Sequence, residues 1–396
     1  MNSSSSQTHS TGSNRSLRRI ASHLLLTRHG LISRPIVSVD AQTREIVAID
    51  RYEQQQLDSM AGVEFYAGIL TAGFINAHCH TELAALYGAI PAGCGFAGFG
   101  GAVGRLRAAL SEQERVRAIR EADKTMYDEG VDAVGDIVND DSSFAVKRES
   151  PIRYRSFAEV FGLRTDNEEQ CRALLTHPET SLTPHSTYSV QDALFGRVCA
   201  EQCTAPLSIH FMESEGEGQL FRGEGAMHKW YEEVGFACDF LHYGSPARRI
   251  VASVPRERSV MLVHNCYITQ QVIDTILGHF TAPVYWVLCP RSNRYISGIA
   301  PQSVELLRRN GCNICIGTDS PASNYSLSML EELKCFQGVP LEELLRWATC
   351  NGADALGYGD TLGEIAVGRK CGLVVISGVD IDSMMLTDCA TARRIL

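Results

Sequence analysis

Along the middle of the chain, apolar residues gather into short runs, separated by longer stretches in which apolar positions recur every three or four residues. The short runs predict eight strands, over 72–78, 131–137, 153–160, 181–185, 206–211, 260–264, 283–288 and 313–317. The longer stretches predict helices, among them 112–128, 192–202, 268–277, 303–310 and 327–336. This alternation is the pattern of βαβ units and a parallel sheet. Eight repeats over roughly 260 residues match the length of a TIM (β/α)8 barrel.

The two ends carry a different pattern. From 20 to about 71, apolar runs such as Ile36-Val37-Ser38-Val39 and Ile46-Val47-Ala48-Ile49 are broken by polar turns, and residues 363–376 read as two strand-like runs about a turn. The expected organisation is an α/β protein in which a small β-sandwich, built from 20–70 and 360–396, flanks a barrel domain at 71–359. Residues 1–19 begin with a Ser-, Thr-, Asn- and Gln-rich stretch that cannot build a core, and they are expected to be a disordered leader.

Composition narrows the function classes. With 396 residues, 44% hydrophobic and 21% charged, the chain has the make-up of a soluble globular protein large enough for a barrel with an appendage. A net charge of −10 argues against a nucleic-acid partner, because phosphate backbones are bound by clustered Lys and Arg. No stretch approaches the roughly 18 apolar residues of a membrane span, and Leu24-Leu25-Leu26 is too short for a secretory signal. The 14 cysteines are scattered, some in strand-like runs (Cys289, Cys315), which fits buried thiols in the cytoplasm better than a disulfide framework. The lone C-x-x-C of Cys312 and Cys315 is read as coincidence. The expected partner is a small-molecule substrate, with a homo-oligomer left open.

Candidate chemistry collects at predicted strand ends, where this fold places its catalytic groups. The first strand runs into His78-Cys79-His80, and in an extended segment residues i and i+2 face the same side, so the two imidazoles can meet at one point. The fourth strand ends in His185, the fifth in His210 followed by Glu213, the sixth in His264 and the eighth in Thr318-Asp319. His78, His80, His210 and Asp319 would make a site for one divalent metal, Zn2+ first and Fe2+ as the alternative, with room for water. Asp319 could take the water proton, Glu213 could deliver protons, and His264 could hold the water or a developing oxyanion. Attack of activated water on an sp2 carbon, with protons passed to a ring nitrogen and a departing amine, is hydrolytic deamination. Other substrate contacts are expected just past strand ends: Glu82 two residues beyond His80, Arg291, Ser292 and Asn293 after strand seven, and Ser320 and Ser323 after strand eight.

The segments GFINAHCHTEL, TPHSTYSV, SIHFMESEGE, MLVHN, CPRSNRYISG, IGTDSPASNYSLSMLEELK and ATCNGADALG…LGEIAVGRKCGL together resemble the amidohydrolase superfamily. The resemblance runs in order from about 20 to 380. It is closest to the branch of chlorohydrolases, cytosine and guanine deaminases, and deaminases of methylthioadenosine, adenosylhomocysteine and aminofutalosine. It implies a TIM barrel with a β-sandwich of both ends and one zinc or iron. It also implies ligand roles for His78, His80, His210 and Asp319, catalytic roles for Glu213 and His264, and a substrate-facing His185. Two departures stand out: Gly368-Arg369-Lys370-Cys371-Gly372-Leu373 lacks the Asp of the branch's G-K-x-A-D-L, and the glycine-rich stretch 87–104, read as a long loop or lid, matches none of the branch's substrate patterns. The leading expectation is therefore a metal-dependent deaminase of a purine-like heterocycle or adenosine-type nucleoside. The alternatives are hydrolysis of a ring chloride or of a cyclic or acyl amide in the same site, or a non-catalytic binding protein.

Overall fold

In the computed structural model, which describes residues 16–53, 61–300 and 303–396, the chain opens with five strands: β1 (Leu17–Thr27), β2 (Gly30–Ser33), β3 (Pro35–Asp40), β4 (Ile46–Arg51) and β5 (Val63–Ala72). The central strands follow: β6 (Phe74–Cys79), β7 (Val131–Val138), β8 (Arg153–Val160), β9 (Thr180–Pro184), β10 (Leu207–Phe211), β11 (Val260–His264), β12 (Val284–Leu288) and β13 (Asn313–Ile316). Each begins and ends within two residues of its predicted run. The chain closes with β14 (Leu373–Ser377) and β15 (Thr391–Arg394).

The central strands form two parallel four-stranded sheets, β6-β7-β8-β9 and β10-β11-β12-β13. Every residue of β7, β10, β11 and β12 is buried, as expected where helices cover a parallel sheet. Isolated parallel bridges join Ser186 to His210 and Cys79 to Asp319, linking the edges of the two sheets at both seams. The second seam is reinforced by a reciprocal pair: Asn76 Nδ2 donates to Thr318 Oγ1 at 2.7 Å, and Thr318 N donates to Asn76 Oδ1 at 3.0 Å. Among the described residues, no helix is long and apolar enough to cross a membrane.

Strands from both chain ends share one seven-stranded sheet in the order β15-β14-β5-β1-β3-β4, with β2 paired to β1. Ile20, Leu25, Val37, Ile46, Leu70 and Leu373 form its buried cluster. Residues 1–15 of the expected leader lie outside the described residues, but 17–19 belong to β1, because Arg18 pairs with Glu64 at 2.8 Å and Arg19 is in register with Val63. Of the two strands expected over 363–376, only β14 forms. Gly363 and Gly368 take φ of 79° and 89°, in the left-handed region away from regular strand geometry, and the intervening loop is pinned by Gly368 N to Ile46 O.

The stretch 87–104 is also different from the loop expected of it. Residues Gly95–Ala108 form an α-helix despite their glycines. Phe99, Ala102, Val103 and Leu106 recur at helical spacing and pack on Leu83, Leu86, Ile90 and Ala322, so burial of one stripe overrides poor intrinsic propensity. Phe96 reaches across to Tyr188 with ring centroids 5.9 Å apart.

Gly317, just past β13, shows how tightly the second seam is drawn: a Cβ there would lie 2.8 Å from both His78 Cβ and His78 O. Gly317→Ala is expected to cost about 1–3 kcal/mol through overpacking, read as a lower urea-unfolding midpoint. Gly104→Ala, whose Cβ would meet nothing within 4 Å in the exposed helix, should leave the midpoint unchanged or raise it. Equal loss in both variants would contradict this account of the seam.

Candidate functional site

The carboxyl ends of β6, β10, β11 and β13 bring His78, His80, His210, His264 and Asp319 to one place. Ring centroids are 4.9 Å apart for His78–His80 and for His78–His210, and 5.9 Å for His78–His264. His80 Nε2 lies 3.1 Å from His78 Nε2 and 3.2 Å from His210 Nε2. Asp319 Oδ1 is 3.6 Å from His78 Nε2 and 3.5 Å from His80 Nε2.

Second contacts determine which ring nitrogen is free. His210 Nδ1 is 2.9 Å from the His185 carbonyl. A carbonyl only accepts, so Nδ1 carries the hydrogen and Nε2 presents a lone pair. Burial also favours neutral rings: it pushes His80 and His185 down to about 4, and lowers His78 and His210 as well. Three neutral nitrogens 3.1–3.2 Å apart across His80 cannot all be satisfied by one another's hydrogens. Ligands at 2.0–2.1 Å from a tetrahedral centre sit about 3.3 Å apart, so the spacing and tautomer fit a divalent metal. His78, His80 and His210 form a possible metal-holding group among the described residues, and Glu159, His185 and His210 form a second.

Asp319 is held by hydrogen bonds that the sequence reading assigned otherwise. Ser292 Oγ and Ser323 Oγ donate to its Oδ2 at 2.5 and 2.9 Å, which leaves Oδ1 on the histidine side. Burial opposes its ionisation, but its close approach to His78 and His80 holds the carboxyl well below its usual range. Backbone strain collects here too: Met212, His264 and Asp319 have φ of 52°, 81° and 55° at or just past strand ends. Left-handed conformations at non-glycine residues persist where the surroundings enforce them, and they cluster at functional sites.

His264 donates Nδ1–H to Asn293 Oδ1 at 3.0 Å and turns Nε2 to within 3.8 Å of Glu213 Oε2. Burial raises the Glu213 carboxyl above its ordinary pKa. His185 stacks on His210 at 4.6 Å and is fixed through Nδ1 to Ser189 Oγ at 2.8 Å.

The other residues expected at the substrate have protein partners. Glu82 accepts from Arg107 Nη2 at 2.7 Å and from the backbone of Asn139 and Asp140 at 3.1 Å. Arg291 donates to Asn324 Oδ1 at 3.1 Å and Glu331 at 3.2 Å. Ser320 Oγ bonds Ser323 Oγ at 2.9 Å. Sequence reasoning missed three participants. Asp136 in β7 receives Thr81 N and Thr81 Oγ1 at 2.8 and 2.7 Å and pairs with Lys147 at 2.6 Å, fixing the chain just past His80. Arg107, on the helix Gly95–Ala108, ties that helix to Glu82 and Asp140. Glu159, one residue before the end of β8, stands 3.4 Å from His210 Nδ1. The strand-end rule that singled out His185 would have found Glu159 as well.

Residues 69–392 match the family described as the Amidohydrolase family. An adenosine deaminase of Helicobacter pylori is 29% identical over 78% of this chain and 79% of its own length. An aminodeoxyfutalosine deaminase of Nitratiruptor is 26% identical over 91% of both chains. Among solved structures, the aminofutalosine deaminase of Helicobacter pylori in complex with methylthio-coformycin aligns with a TM-score of 0.76 and 26% identity, covering 92% of this chain and 93% of that one.

The depressed histidines predict acid sensitivity. In the unfolded chain His80 and His185 would protonate near 6.5, but in the fold only near 4. Between these values the unfolded state binds more protons, so stability falls as pH drops from about 6.5 towards 4, by on the order of 3 kcal/mol per group. Urea unfolding of chelator-treated protein at pH 7, 6, 5 and 4.5 should show its midpoint falling through this window. A flat midpoint would mean that these rings are not buried neutral.

Proposed function

The chain belongs to the amidohydrolase family, and on that premise we propose that it is a metal-dependent hydrolase that removes the amino group of an adenosine-type nucleoside as ammonia. The observation that carries this reading is the convergence of three Nε2 atoms and Asp319 Oδ1 on one point, with Glu213 and His264 beside it. The two parallel sheets, joined at both seams by backbone bridges, are read as a closed (β/α)8 barrel. The two-ended sheet is read as a separate β unit of residues 20–70 and 360–396 flanking the barrel at 71–359. Free thiols such as the buried Cys289 and Cys315 support a reducing, cytoplasmic setting.

His78, His80, His210 and Asp319 would hold the metal, and zinc suits three imidazoles and a carboxylate best. When bound, the metal supplies positive charge and a water whose pKa is lowered to about 7. Asp319 Oδ1 accepts a proton from the attacking water while Ser292 and Ser323 hold Oδ2 in place. Glu213, its pKa raised by burial, gives a proton to the ring nitrogen beside the reacting carbon as that carbon becomes tetrahedral. His264, oriented by Asn293 through Nδ1, presents its Nε2 lone pair to accept a hydrogen bond from the attacking water. The departing amine takes the proton held by Asp319 and leaves as ammonia, while the hydroxyl proton on the same carbon passes to Glu213 as the carbonyl forms, restoring both carboxyl groups. One water is consumed and the amino group is replaced by a carbonyl oxygen. His185 faces the heterocycle from β9.

Ammonia release from adenosine, 5′-methylthioadenosine, guanine and cytosine, measured on protein of known metal content, tests the reading. Deamination should be confined to the adenine nucleosides, disappear on chelation and return with zinc. Glu213→Gln should lower kcat by about 10^2- to 10^4-fold with metal content unchanged. An active Glu213→Gln enzyme would remove the proton-delivery role. Release of chloride from a triazine, or of a carboxylate from a cyclic amide, by an enzyme silent on nucleosides would replace deamination with those reactions.

A further inference from the structure

One carboxylate beside the site is not used by the scheme above. Glu159 is 4% exposed. Its Oε2 accepts from Asn139 Nδ2 at 3.3 Å, whereas Oε1 is buried without a hydrogen-bond partner. Two nearby donors are committed elsewhere. The Arg107 guanidinium is engaged by Glu82 and Asp140. His210 Nδ1–H, 3.4 Å from Oε1, is directed at the His185 carbonyl at 2.9 Å. A buried carboxylate oxygen left unpaired is costly, and such oxygens in folded proteins find donors.

The position of Glu159 indicates where that donor would come from. One of its oxygens lies within 4.8 Å of ring nitrogens of both His185 and His210. Glu159 lies one residue before the end of β8 and His185 follows β9, whereas Glu213 follows β10 and His264 ends β11. The reacting amino group is served by the second pair, so the first pair borders the remainder of the substrate. In a nucleoside that remainder is a sugar, whose hydroxyls are hydrogen-bond donors.

We propose that Glu159 is a specificity-determining residue that accepts a hydrogen bond from a sugar hydroxyl of a purine nucleoside substrate, beside His185. This rests on the adenosine-type reading of the site. The competing role is structural: Glu159 would orient His210 through Nδ1 and touch no substrate.

The test compares adenosine with its 2′-deoxy, 3′-deoxy and 5′-deoxy analogues on wild-type, Glu159→Gln and Glu159→Ala enzymes, with metal content per chain measured on each sample. For the wild type, removal of the hydroxyl that is read should lower kcat/KM by about 10- to 100-fold, the worth of a hydrogen bond to a charged group. Glu159→Ala should lose a similar factor on adenosine, chiefly through KM, and should treat that deoxy analogue and adenosine alike within about twofold, with metal content unchanged. Glu159→Gln, which preserves shape and an acceptor oxygen, should fall between. An equal loss on every analogue, or loss of metal from the variants, would assign Glu159 to orienting His210 and overturn the proposal. A wild type that deaminates adenosine but ignores all three deletions overturns this inference alone, even if neither variant folds. A wild type inactive on every nucleoside overturns both this inference and the deaminase reading.

Discussion

The constraint on which the site depends is the enforced neutrality of a group of buried imidazoles. His78, His80 and His210 gather their Nε2 atoms around His80 at 3.1–3.2 Å, and a charge placed on any of these rings would be buried away from water. Neutrality alone would leave the tautomer open. The His185 carbonyl settles it for His210 by claiming the Nδ1 hydrogen, and Asn293 does the same for His264. His210 and His264 thereby turn a bare nitrogen towards the centre before any ligand arrives. Preorganisation of this kind places the cost of arranging the donors in folding and not in the reaction.

That arrangement is possible because of the seam between β6 and β13. His78 leaves β6 beside Gly317, and the absence of a Cβ at 317 lets the two backbones approach closely enough for Asp319 N to donate to His78 O at 3.0 Å. Asp319, held by that hydrogen bond in a left-handed conformation, has its carboxylate beside the histidines. Asn76 and Thr318 lock the register one step back along the strands. Fold and site are therefore built from one set of contacts: a change that loosens the seam moves the first histidine and the carboxylate together.

Much of this was legible in the order of residue types. Eight apolar runs gave strand positions to within two residues because burial on both faces leaves little room for polar interruption. The histidines stood out because strand ends are few and imidazoles are rare. What was hidden depended on partners remote in sequence. The carboxylate of Glu82 seemed free for substrate, but Arg107, 25 residues later, binds it at 2.7 Å. Ser292 and Ser323 looked like substrate contacts and instead hold Asp319. The glycine-rich stretch read as a loop because glycine lowers helix propensity, yet Phe99, Val103 and Leu106 bury a stripe that outweighs it.

The helix Gly95–Ala108 also separates two kinds of rigidity. Its apolar stripe is anchored to Leu83, Leu86 and Ile90, and Arg107 fastens its last turn to Glu82 and Asp140. Its opposite end packs Phe96 on the cluster that holds Tyr188, Leu220 and Phe221, including an aromatic pair with Tyr188 worth about 0.5–1.5 kcal/mol beyond its burial. An ion pair with a buried carboxylate holds far more firmly than that, because breaking it strands a charge away from water. One end of the helix is therefore tied to Glu82, two residues past His80, and the other borders Tyr188, three residues past His185.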